Sequence, residues 1–396
     1  MEVGACKAVT LAVDEAKNGV GATNINTNGE LFFHFDYYSF KVCISQRSVQ
    51  KYVILLKSQS KNVYLHKIFS KTMYTLSELQ KAVADYMNHL DVDGNPHSLY
   101  EPIAYSIGAG GKRLRPMLTV LACNIFSDNA LLALPAAAAL EVFHTFTLLH
   151  DDIMDNAPTR RGKPSVYGKW GTNAAILSGD AMMIYSYKLL QQTPVEFLPA
   201  VLGCFNYTAM TVCEGQQCDM SFESREDVSM EEYMDMINKK TAALLAGSTI
   251  IGAIQGGADP QNRQHLFVFA TELGLAFQLQ DDLLDAFGTE AQLGKPIGGD
   301  ILEAKKSFLL LTALQRADGE SRKHLLNLLH DNSIAPAEKI AEVLRIYNHL
   351  GVREVAEAEI TSHFNKAMEA LDALDAEPER ITPLRELALG LLGRNK

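Results

Sequence analysis

The residues with the clearest potential for chemistry are two copies of an aspartate motif, DDxxD, in this chain of 396 residues. The two copies are DDIMD at 151–155 and DDLLD at 281–285. Each ends a long apolar stretch that favours a helix, and residues four apart share one helix face. Asp151 with Asp155, and Asp281 with Asp285, should therefore project pairs of carboxylates. Such pairs suit Mg²⁺, which completes its coordination with water and substrate phosphates, so the motifs predict a metal cleft between two helices.

A single acidic run would be interpreted differently, as a solvated helix end, because short motifs also match by chance. Negative groups at a helix C terminus are disfavoured by about 0.3–1 kcal/mol each. Two acidic runs at the ends of two apolar helices therefore need a compensating cation. The duplication favours a metal site over solvated helix ends.

Basic residues near both motifs could supply the other half of an anion site. Two glycines precede Lys112 and Arg115, which are three residues apart and can face one way where a helix begins. Further basic residues near the motifs are Arg160, Arg161, Lys163, Lys240, Lys295, Lys305 and Lys306. The chain holds 36 Lys and Arg against 47 Asp and Glu, so its net charge of -11 makes nucleic acid an unexpected partner. Cations beside carboxylates instead indicate diphosphates bridged by metal ions.

His144 lies seven residues before Asp151, which is two helical turns, and so faces the same cleft. A histidine on an apolar helix is also commonly a hydrogen-bonded core residue. Glu141 and His144 match the ExxH element of di-iron helix bundles, but that interpretation needs a second ExxH, which the chain lacks.

The elements that carry these residues are predicted to be helices. The chain has 47% hydrophobic residues, 13 Pro and 27 Gly, so turn residues are sparse and long apolar periodicity dominates. This favours an all-α, single-domain helical bundle around a central cleft. The predicted helices are 77–89, 114–126, 130–155, 172–191, 195–222, 230–254, 261–285 and 302–317, with further helix from there to the C terminus.

Two further features bear on location. The longest strictly apolar run, 130–140, contains Pro135 and is too short to cross a bilayer, so we expect no membrane span. The six cysteines form no CxxC pair, which is typical of free thiols in a reducing compartment. We therefore expect a cytoplasmic protein.

Residues 1–72 differ from the rest of the chain. They hold nine basic and five acidic residues, lack helical periodicity and contain strand-like segments at 31–38 and 51–57. We interpret them as an extension outside the functional domain, which a start assigned too far upstream would explain, and we expect the functional domain to be 73–396, beginning at Met73. A chain beginning at Met73 is expected to fold and act on its own.

Together the motifs resemble those of the trans-isoprenyl diphosphate synthases, the polyprenyl synthetase family that includes farnesyl and geranylgeranyl diphosphate synthases. The resemblance covers residues 73–396 and implies the isoprenoid synthase type I fold. Besides the two DDxxD motifs, it rests on GKRLRP at 111–116, GQQCD at 215–219, Lys240-Thr241, and Gly299-Asp300 with Lys305.

The resemblance implies a step of isoprenoid biosynthesis. Isopentenyl diphosphate and an allylic diphosphate are joined head to tail, with Mg²⁺, into an all-trans prenyl diphosphate of fifteen or twenty carbons. The implied metal ligands are Asp151, Asp155 and Asp281, with three ions expected when substrate is bound, and Asp152, Asp282 and Asp285 as partial or water-mediated ligands. The implied allylic diphosphate contacts are Arg160, Lys240, Thr241, Gln278, Lys295 and Lys305. The implied isopentenyl diphosphate contacts are Lys112, Arg115, His144 and Arg161. The departed diphosphate accepts the proton, and a homodimer is implied.

Product length should be set beneath the first motif. Phe146 is five residues before Asp151, or roughly 7–8 Å down the helix, and would act as a plug for the growing tail. Thr147 leaves space beside it, and Phe143 is the next candidate one turn further down. A single aromatic here resembles geranylgeranyl synthases, so we favour twenty carbons. Alternatively, Phe146 is ordinary core.

Four other functions compete. A longer-chain polyprenyl synthase would need a deeper pocket, and a class I terpene cyclase carries a second metal motif of Asn, Ser and Glu. A head-to-head enzyme of the squalene synthase type would lack GKRLRP. A non-catalytic subunit of a heteromeric synthase would lose one aspartate motif, whereas both are intact here.

Overall fold

A computed structural model describes residues 73–289, 297–331 and 333–392, together with five strands nearer the N terminus. The chain separates into two compact units, Met1–Thr72 and Met73–Lys396. Lys295, one of the predicted diphosphate contacts, lies outside the described residues.

The strands of the first unit form an antiparallel meander in which each strand pairs with the next. The strands are β1 Gly21–Ile25, β2 Leu31–Phe35, β3 Tyr38–Ile44, β4 Tyr52–Lys57 and β5 Asn62–Tyr64. The strand-like segments noted at 31–38 and 51–57 overlap β2, β3 and β4 at residues 31–35, 38 and 52–57, and residues 36, 37 and 51 lie outside the described residues.

The second unit is built from helices, which confirms the predicted all-α class. Its helices are α1 Leu76–Asn88, α2 His97–Gly108, α3 Leu114–Phe126, α4 Leu134–Met154, α5 Val166–Trp170, α6 Thr172–Leu190, α7 Leu198–Glu223, α8 Met230–Ile237, α9 Ala243–Gly256, α10 Pro260–Phe287, α11 Gly299–Leu302, α12 Phe308–Arg316, α13 Gly319–His330, α14 Pro336–His349, α15 Val352–Asp372 and α16 Pro378–Leu392. A 3-10 turn, Ala130–Ala133, leads into α4, and a π-helical turn, Asn238–Ala242, joins α8 to α9. A short hairpin, β6 Thr159–Arg160 and β7 Lys163–Pro164, follows α4.

Several helix boundaries differ from the sequence prediction for identifiable reasons. The first helix begins at Leu76 because Thr75, rather than Ser77, caps it: the Thr75 hydroxyl accepts from Glu78 N at 3.3 Å. The predicted helix 302–317 begins only at Phe308, because the chain turns after α11 at Ala304, whose φ is 51°. Helix α2 was not predicted, and it contains a proline, Pro102.

The helices that carry the two aspartate motifs, α4 and α10, are neighbours of α9, which packs against both. Helix α4 also packs on α3 and α6, and α10 packs on α15. This arrangement places the start of α9 beside both motifs. Within the described residues, one helical segment, Ala130–Met154, is long and apolar enough to cross a membrane. In its most apolar stretch of 18 residues, 56% is buried inside the structure.

Candidate functional site

The first aspartate motif forms the last turn of α4, with Asp155 as the residue that caps its C terminus. Asp151 and Asp155 are one turn apart, as predicted, and Asp155 N donates to Asp151 O at 2.9 Å. Asp152 is different, because its side chain is buried. Asp152 Oδ1 accepts from Arg160 Nε at 2.7 Å, so it anchors the hairpin that follows the helix.

The hairpin carries two adjacent arginines, Arg160 and Arg161, whose side chains contact different parts of the protein. Arg160 also donates through Nη2 to Asp151 Oδ2 at 3.3 Å, so it spans two carboxylates of the motif. Arg161, at φ 52°, instead donates through Nη1 to Gly110 O. The hairpin therefore links the first motif to the glycine-rich segment before α3.

Lys240 lies beside the same motif. Its Nζ is 2.5 Å from Asp219 Oδ2 on α7 and 3.8 Å from Asp151 Oδ1. Asp151 Oδ1 is buried and accepts no hydrogen bond. The first motif thus contains one carboxylate oxygen without a hydrogen-bond donor, close to a cation.

The π-helical turn Asn238–Ala242 presents Lys240, and it depends on a glycine in α7. A Cβ at Gly215 would lie 2.3 Å from Lys240 N, closer than any real side chain allows. Glycine at 215 therefore lets α7 approach the turn closely enough for Lys240 to reach Asp219. Single π turns of this kind occur frequently at functional sites.

Lys305 connects the two aspartate motifs electrostatically. Partial desolvation works to lower the pKa of its ammonium, but the carboxylates of Asp219, Asp300, Asp282 and Asp155 raise that pKa above its usual value. Asp155 belongs to the first motif and Asp282 to the second. Lys305 is therefore protonated in a cleft that both motifs share, which we call the aspartate cleft.

The second motif, near the end of α10, divides into one partly exposed and two buried residues. Asp281 is half-buried, whereas Asp282 and Asp285 are 6% and 1% exposed. Both oxygens of Asp282 accept hydrogen bonds from protein groups, including one from Gln278 Nε2 at 3.0 Å. Gln278 Oε1 in turn accepts from Thr241 Oγ1 at 2.9 Å, so two predicted diphosphate contacts are joined to the motif.

The first motif fits a divalent cation in its chemistry. Partial desolvation and the charge of Asp151 raise the pKa of Asp155 to about 6, with Lys240 and Lys305 opposing the shift. A bound cation would favour the ionised form of Asp155 and would supply a partner for the undonated oxygen of Asp151. Across 73–289, 297–331 and 333–392, no group of three or more His, Cys, Asp or Glu side chains is arranged to hold a metal in this conformation.

The predicted isopentenyl diphosphate residues come together around the start of α3. Lys112 precedes the helix and Arg115 lies in its first turn, with Arg113 between them at φ 50°. Arg113 donates to Glu141 Oε1 at 2.9 Å and to Ile107 O at 2.6 Å. This pair holds the glycine-rich segment against α4.

His144 shares a small cavity with Arg160 and Arg161 and a second cavity with Arg115. Desolvation by burial, and then the positive charges of Arg115 and Arg161, hold the pKa of His144 well below its usual value. The imidazole is therefore neutral at pH 7. One of its nitrogens donates a hydrogen bond and the other accepts one, so His144 can contact a bound anion or its neighbours without adding charge.

A cavity of about 300 Å³ opens beneath Asp151 between α4, α7 and the start of α9. Phe146 and Thr147 line it, as the sequence predicted. The Phe146 ring packs 4.8 Å from the ring of His150 and 5.6 Å from that of Phe143. Phe143 lies outside the lining and is fully buried, 5.4 Å from Phe205.

Some residues of the site were not assigned from the sequence. Asp219 lies in the GQQCD element, yet its pairing with Lys240 was not expected. The partners Arg113 and Glu141, and Tyr233 beneath the second motif, were also missed. The ExxH pattern did mark Glu141, but for a di-iron site rather than for the ion pair that it forms.

Comparison with known proteins relates this geometry to characterised enzymes. Residues 96–347 match the family model described as polyprenyl synthetase. The chain is 39% identical over 289 residues to a short chain isoprenyl diphosphate synthase of Methanothermobacter thermautotrophicus, covering 73% of this chain and 88% of that protein.

Two solved structures share the fold. A geranylgeranyl pyrophosphate synthase superposes with a TM-score of 0.78 at 38% identity, covering 81% of this chain and 99% of the other. The geranylgeranyl pyrophosphate synthase of Corynebacterium glutamicum, solved with isoprenyl diphosphate and magnesium, gives a TM-score of 0.71 at 29% identity, covering 81% and 98%. The similarity thus spans 73–81% of this chain and 88–99% of the proteins that it matches.

Proposed function

Because this chain belongs to the polyprenyl synthetase family, we propose that its aspartate cleft joins isopentenyl diphosphate to an allylic diphosphate with the help of Mg²⁺. The chain is a prenyltransferase of the short-chain prenyl diphosphate synthase type. The observation that supports the proposed site best is the placement of Lys240 and Lys305 among carboxylates of both motifs, with Lys240 also lining the cavity beneath Asp151.

We assign the metal ions to Asp151, Asp155 and Asp281, with three ions when substrate is bound. When bound, Mg²⁺ would neutralise the charge of the departing diphosphate. The undonated Oδ1 of Asp151 and the raised pKa of Asp155 support this assignment, because both are relieved by a cation. Fixed ligands at the end of α4 reduce the reorganisation needed when substrate arrives.

The allylic diphosphate is assigned to Arg160, Lys240, Thr241, Gln278, Lys295 and Lys305. Lys240 and Arg160 hold their ammonium and guanidinium groups at the first motif, where negative charge develops as the carbon–oxygen bond breaks. The carbocation then forms a bond with the double bond of isopentenyl diphosphate. The proton lost from that adduct passes to the departed diphosphate, so no side-chain base is required.

The isopentenyl diphosphate is assigned to Lys112, Arg115, His144 and Arg161. Arg161 reaches Gly110 O across the glycine-rich segment, and Arg115 Nε is buried without a hydrogen-bond acceptor. A diphosphate oxygen would satisfy that donor. His144 shares one cavity with Arg160 and Arg161 and another with Arg115, and its lowered pKa keeps the imidazole neutral beside these arginines.

The product proposed is the twenty-carbon prenyl diphosphate. The cavity beneath Asp151 provides apolar walls for the tail, and Phe146 stands in its lining. Its position five residues before the motif places it roughly 7–8 Å along the helix from Asp151.

We also propose a homodimer that works in the cytoplasm. Large apolar side chains are exposed on adjacent faces of α6 and α7: Leu177, Ile184, Tyr207 and Met210 are 60%, 71%, 73% and 64% exposed. A second copy covering these side chains would remove them from water. In the second unit, Cys123, Cys204, Cys213 and Cys218 are free thiols, in keeping with a reducing compartment.

The test is incubation with labelled isopentenyl diphosphate, Mg²⁺ and each allylic primer in turn, followed by chromatography of the dephosphorylated products. We expect a twenty-carbon alcohol as the main product and no turnover in the presence of EDTA. Absence of product with every primer would refute the activity, and products longer than twenty-five carbons would refute the short-chain assignment. Light scattering would test the dimer.

A further inference from the structure

Two of the three aspartates in the second motif contact the chain that follows the motif rather than the open cleft. We propose that Asp282 and Asp285 are positioning residues that fix residues 298–308, here called the Lys305 segment, and so hold Lys305 in the aspartate cleft. Asp281 is then the carboxylate of this motif that serves the metal. The inference rests on the proposed function for the roles of Lys305 and Asp281.

Asp282 is the stronger of the two anchors. Its Oδ2 accepts from Tyr233 Oη at 2.6 Å and from Phe308 N at 3.0 Å, and its Oδ1 accepts from Gln278 Nε2 at 3.0 Å. Both oxygens are engaged by protein donors and only 6% of the residue is exposed, so the Asp282 carboxylate is directed at these groups rather than at the open cleft. Phe308 N is the first amide of α12, so Asp282 fixes the end of the Lys305 segment.

Asp285 fixes the beginning of the same segment. Its Oδ2 accepts from Asp300 N at 3.0 Å, and its backbone oxygen accepts from Gly298 N at 2.6 Å. The residue is 1% exposed, so its carboxylate faces the segment and not the solvent of the cleft. The two anchors are one helical turn apart on α10, and they hold points eight residues apart in the segment.

Between the anchors, the chain turns tightly to present Lys305. Lys305 N donates to Asp300 O at 2.9 Å, and Ala304 adopts φ 51°, a conformation that a residue with a side chain holds only when its surroundings impose it. The carboxylates of Asp219 and Asp155 act on the Lys305 ammonium from across the cleft. Loosening either anchor would therefore displace the ammonium from the first motif.

The experiment compares three variants. Asp282→Asn keeps an oxygen for Tyr233 and Phe308 N, and its amide can donate to Gln278 once that side chain turns, so the anchor survives while the charge is lost. Asp282→Ala removes the anchor. Asp281→Asn removes the charge of the metal-facing carboxylate and leaves both anchors intact.

The first readout is amide hydrogen exchange of residues 298–308 in EDTA, without substrate. We expect Asp282→Ala to accelerate exchange at least tenfold, and Asp282→Asn and Asp281→Asn to stay within about threefold of the wild type. If Asp282→Ala does not fold, Tyr233→Phe takes its place, since the hydroxyl that orients Asp282 is lost. Tyr187→Phe is its matched control, because the Tyr187 hydroxyl bonds Asn206 Oδ1 on α7.

The second readout is steady-state kinetics. We expect Asp282→Asn to retain turnover within about tenfold, with an unchanged half-saturating Mg²⁺ concentration. Asp281→Asn should lose turnover by orders of magnitude, and Asp282→Ala should raise the KM for the allylic diphosphate more than it lowers kcat.

Unchanged exchange in both Asp282→Ala and Tyr233→Phe would overturn the proposal. The proposal would also be overturned if Asp282→Asn lost as much turnover as Asp281→Asn while amide exchange of residues 298–308 stayed normal. Asp282 would then act as a metal ligand. The exchange comparison needs no catalysis, so a wild-type protein without prenyltransferase activity would refute the proposed function alone.

Discussion

Replacing Phe146 with alanine tests whether this side chain ends the growth of the product. Phe146 lines the cavity beneath Asp151, and the ring behind it belongs to Phe143, 5.6 Å away between ring centres. Phe143 is three residues earlier on α4, which corresponds to about 4.5 Å of additional depth along the helix axis. The Phe146→Ala cavity should therefore accept a tail longer by about one isoprene unit, with turnover retained.

The stability change should be moderate. A fully buried phenylalanine costs roughly 3–5 kcal/mol when it is truncated to alanine. Phe146 is half-buried and lines an existing cavity, so we expect a loss at or below about 3 kcal/mol of the free energy of unfolding. Urea unfolding measures this loss, and chromatography of dephosphorylated products measures chain length.

Phe143→Ala is the matched control. Phe143 is fully buried against Phe205 and lies outside the cavity lining, so its truncation should cost more stability and leave the product unchanged while Phe146 remains. The double variant should lengthen the product beyond that of Phe146→Ala, because Phe143 becomes the floor only when Phe146 is absent. An unchanged product from Phe146→Ala, with a core-like loss of stability, would show that Phe146 is packing alone and that the floor lies elsewhere.

Three further predictions concern the rest of the site. Asp151→Asn and Asp281→Asn should each lower turnover by orders of magnitude. The helical signal in circular dichroism should stay nearly unchanged, because repelling carboxylates in one cluster do not stabilise the fold. A fully active Asp281→Asn enzyme would contradict the metal assignment. Gly215→Ala should impair both stability and turnover, because its Cβ would lie 2.3 Å from the π-helical turn. Gly203→Ala is the control on the same helix: its Cβ meets nothing within 4 Å, so it should be neutral or raise the free energy of unfolding by up to about 1 kcal/mol. Equal behaviour of the two variants in urea unfolding and activity assays would argue against the close approach. Because the pKa of His144 is lowered in the folded protein, the imidazole takes up a proton in the unfolded chain first as the pH falls below about 6.5, and the folded state should lose stability there. Urea titrations at pH 7 and pH 5 should show a smaller loss of stability in His144→Gln than in the wild type. Identical pH dependence of the two proteins would refute this prediction.

Helices with strong apolar periodicity were predictable from the sequence. The segment 114–126 matches α3, and 172–191 matches α6 within one residue. The prediction of one helix over 302–317 was wrong because periodicity cannot register the tertiary contacts to Asp282 and Asp285 that bend the chain at Ala304.

The parts of the site that depend on short sequence spacings were predictable. The two DDxxD motifs needed only the four-residue repeat of a helix face. The ion pair of Arg113 with Glu141 and the hydrogen bond of Tyr233 to Asp282 join residues 28 and 49 positions apart, so no local pattern reveals them. The division of the second motif between cleft and segment was hidden for the same reason.

The cations at the first motif are already occupied in the free protein. Lys240 is held by Asp219, and Arg160 by Asp152 and Asp151. A ligand that binds these cations therefore competes with the carboxylates that already hold them. A diphosphate that arrives with divalent ions would supply new partners to the carboxylates as it takes their cations. We therefore expect the binding of a diphosphate at these cations to be coupled to the binding of divalent ions at the carboxylates that they leave.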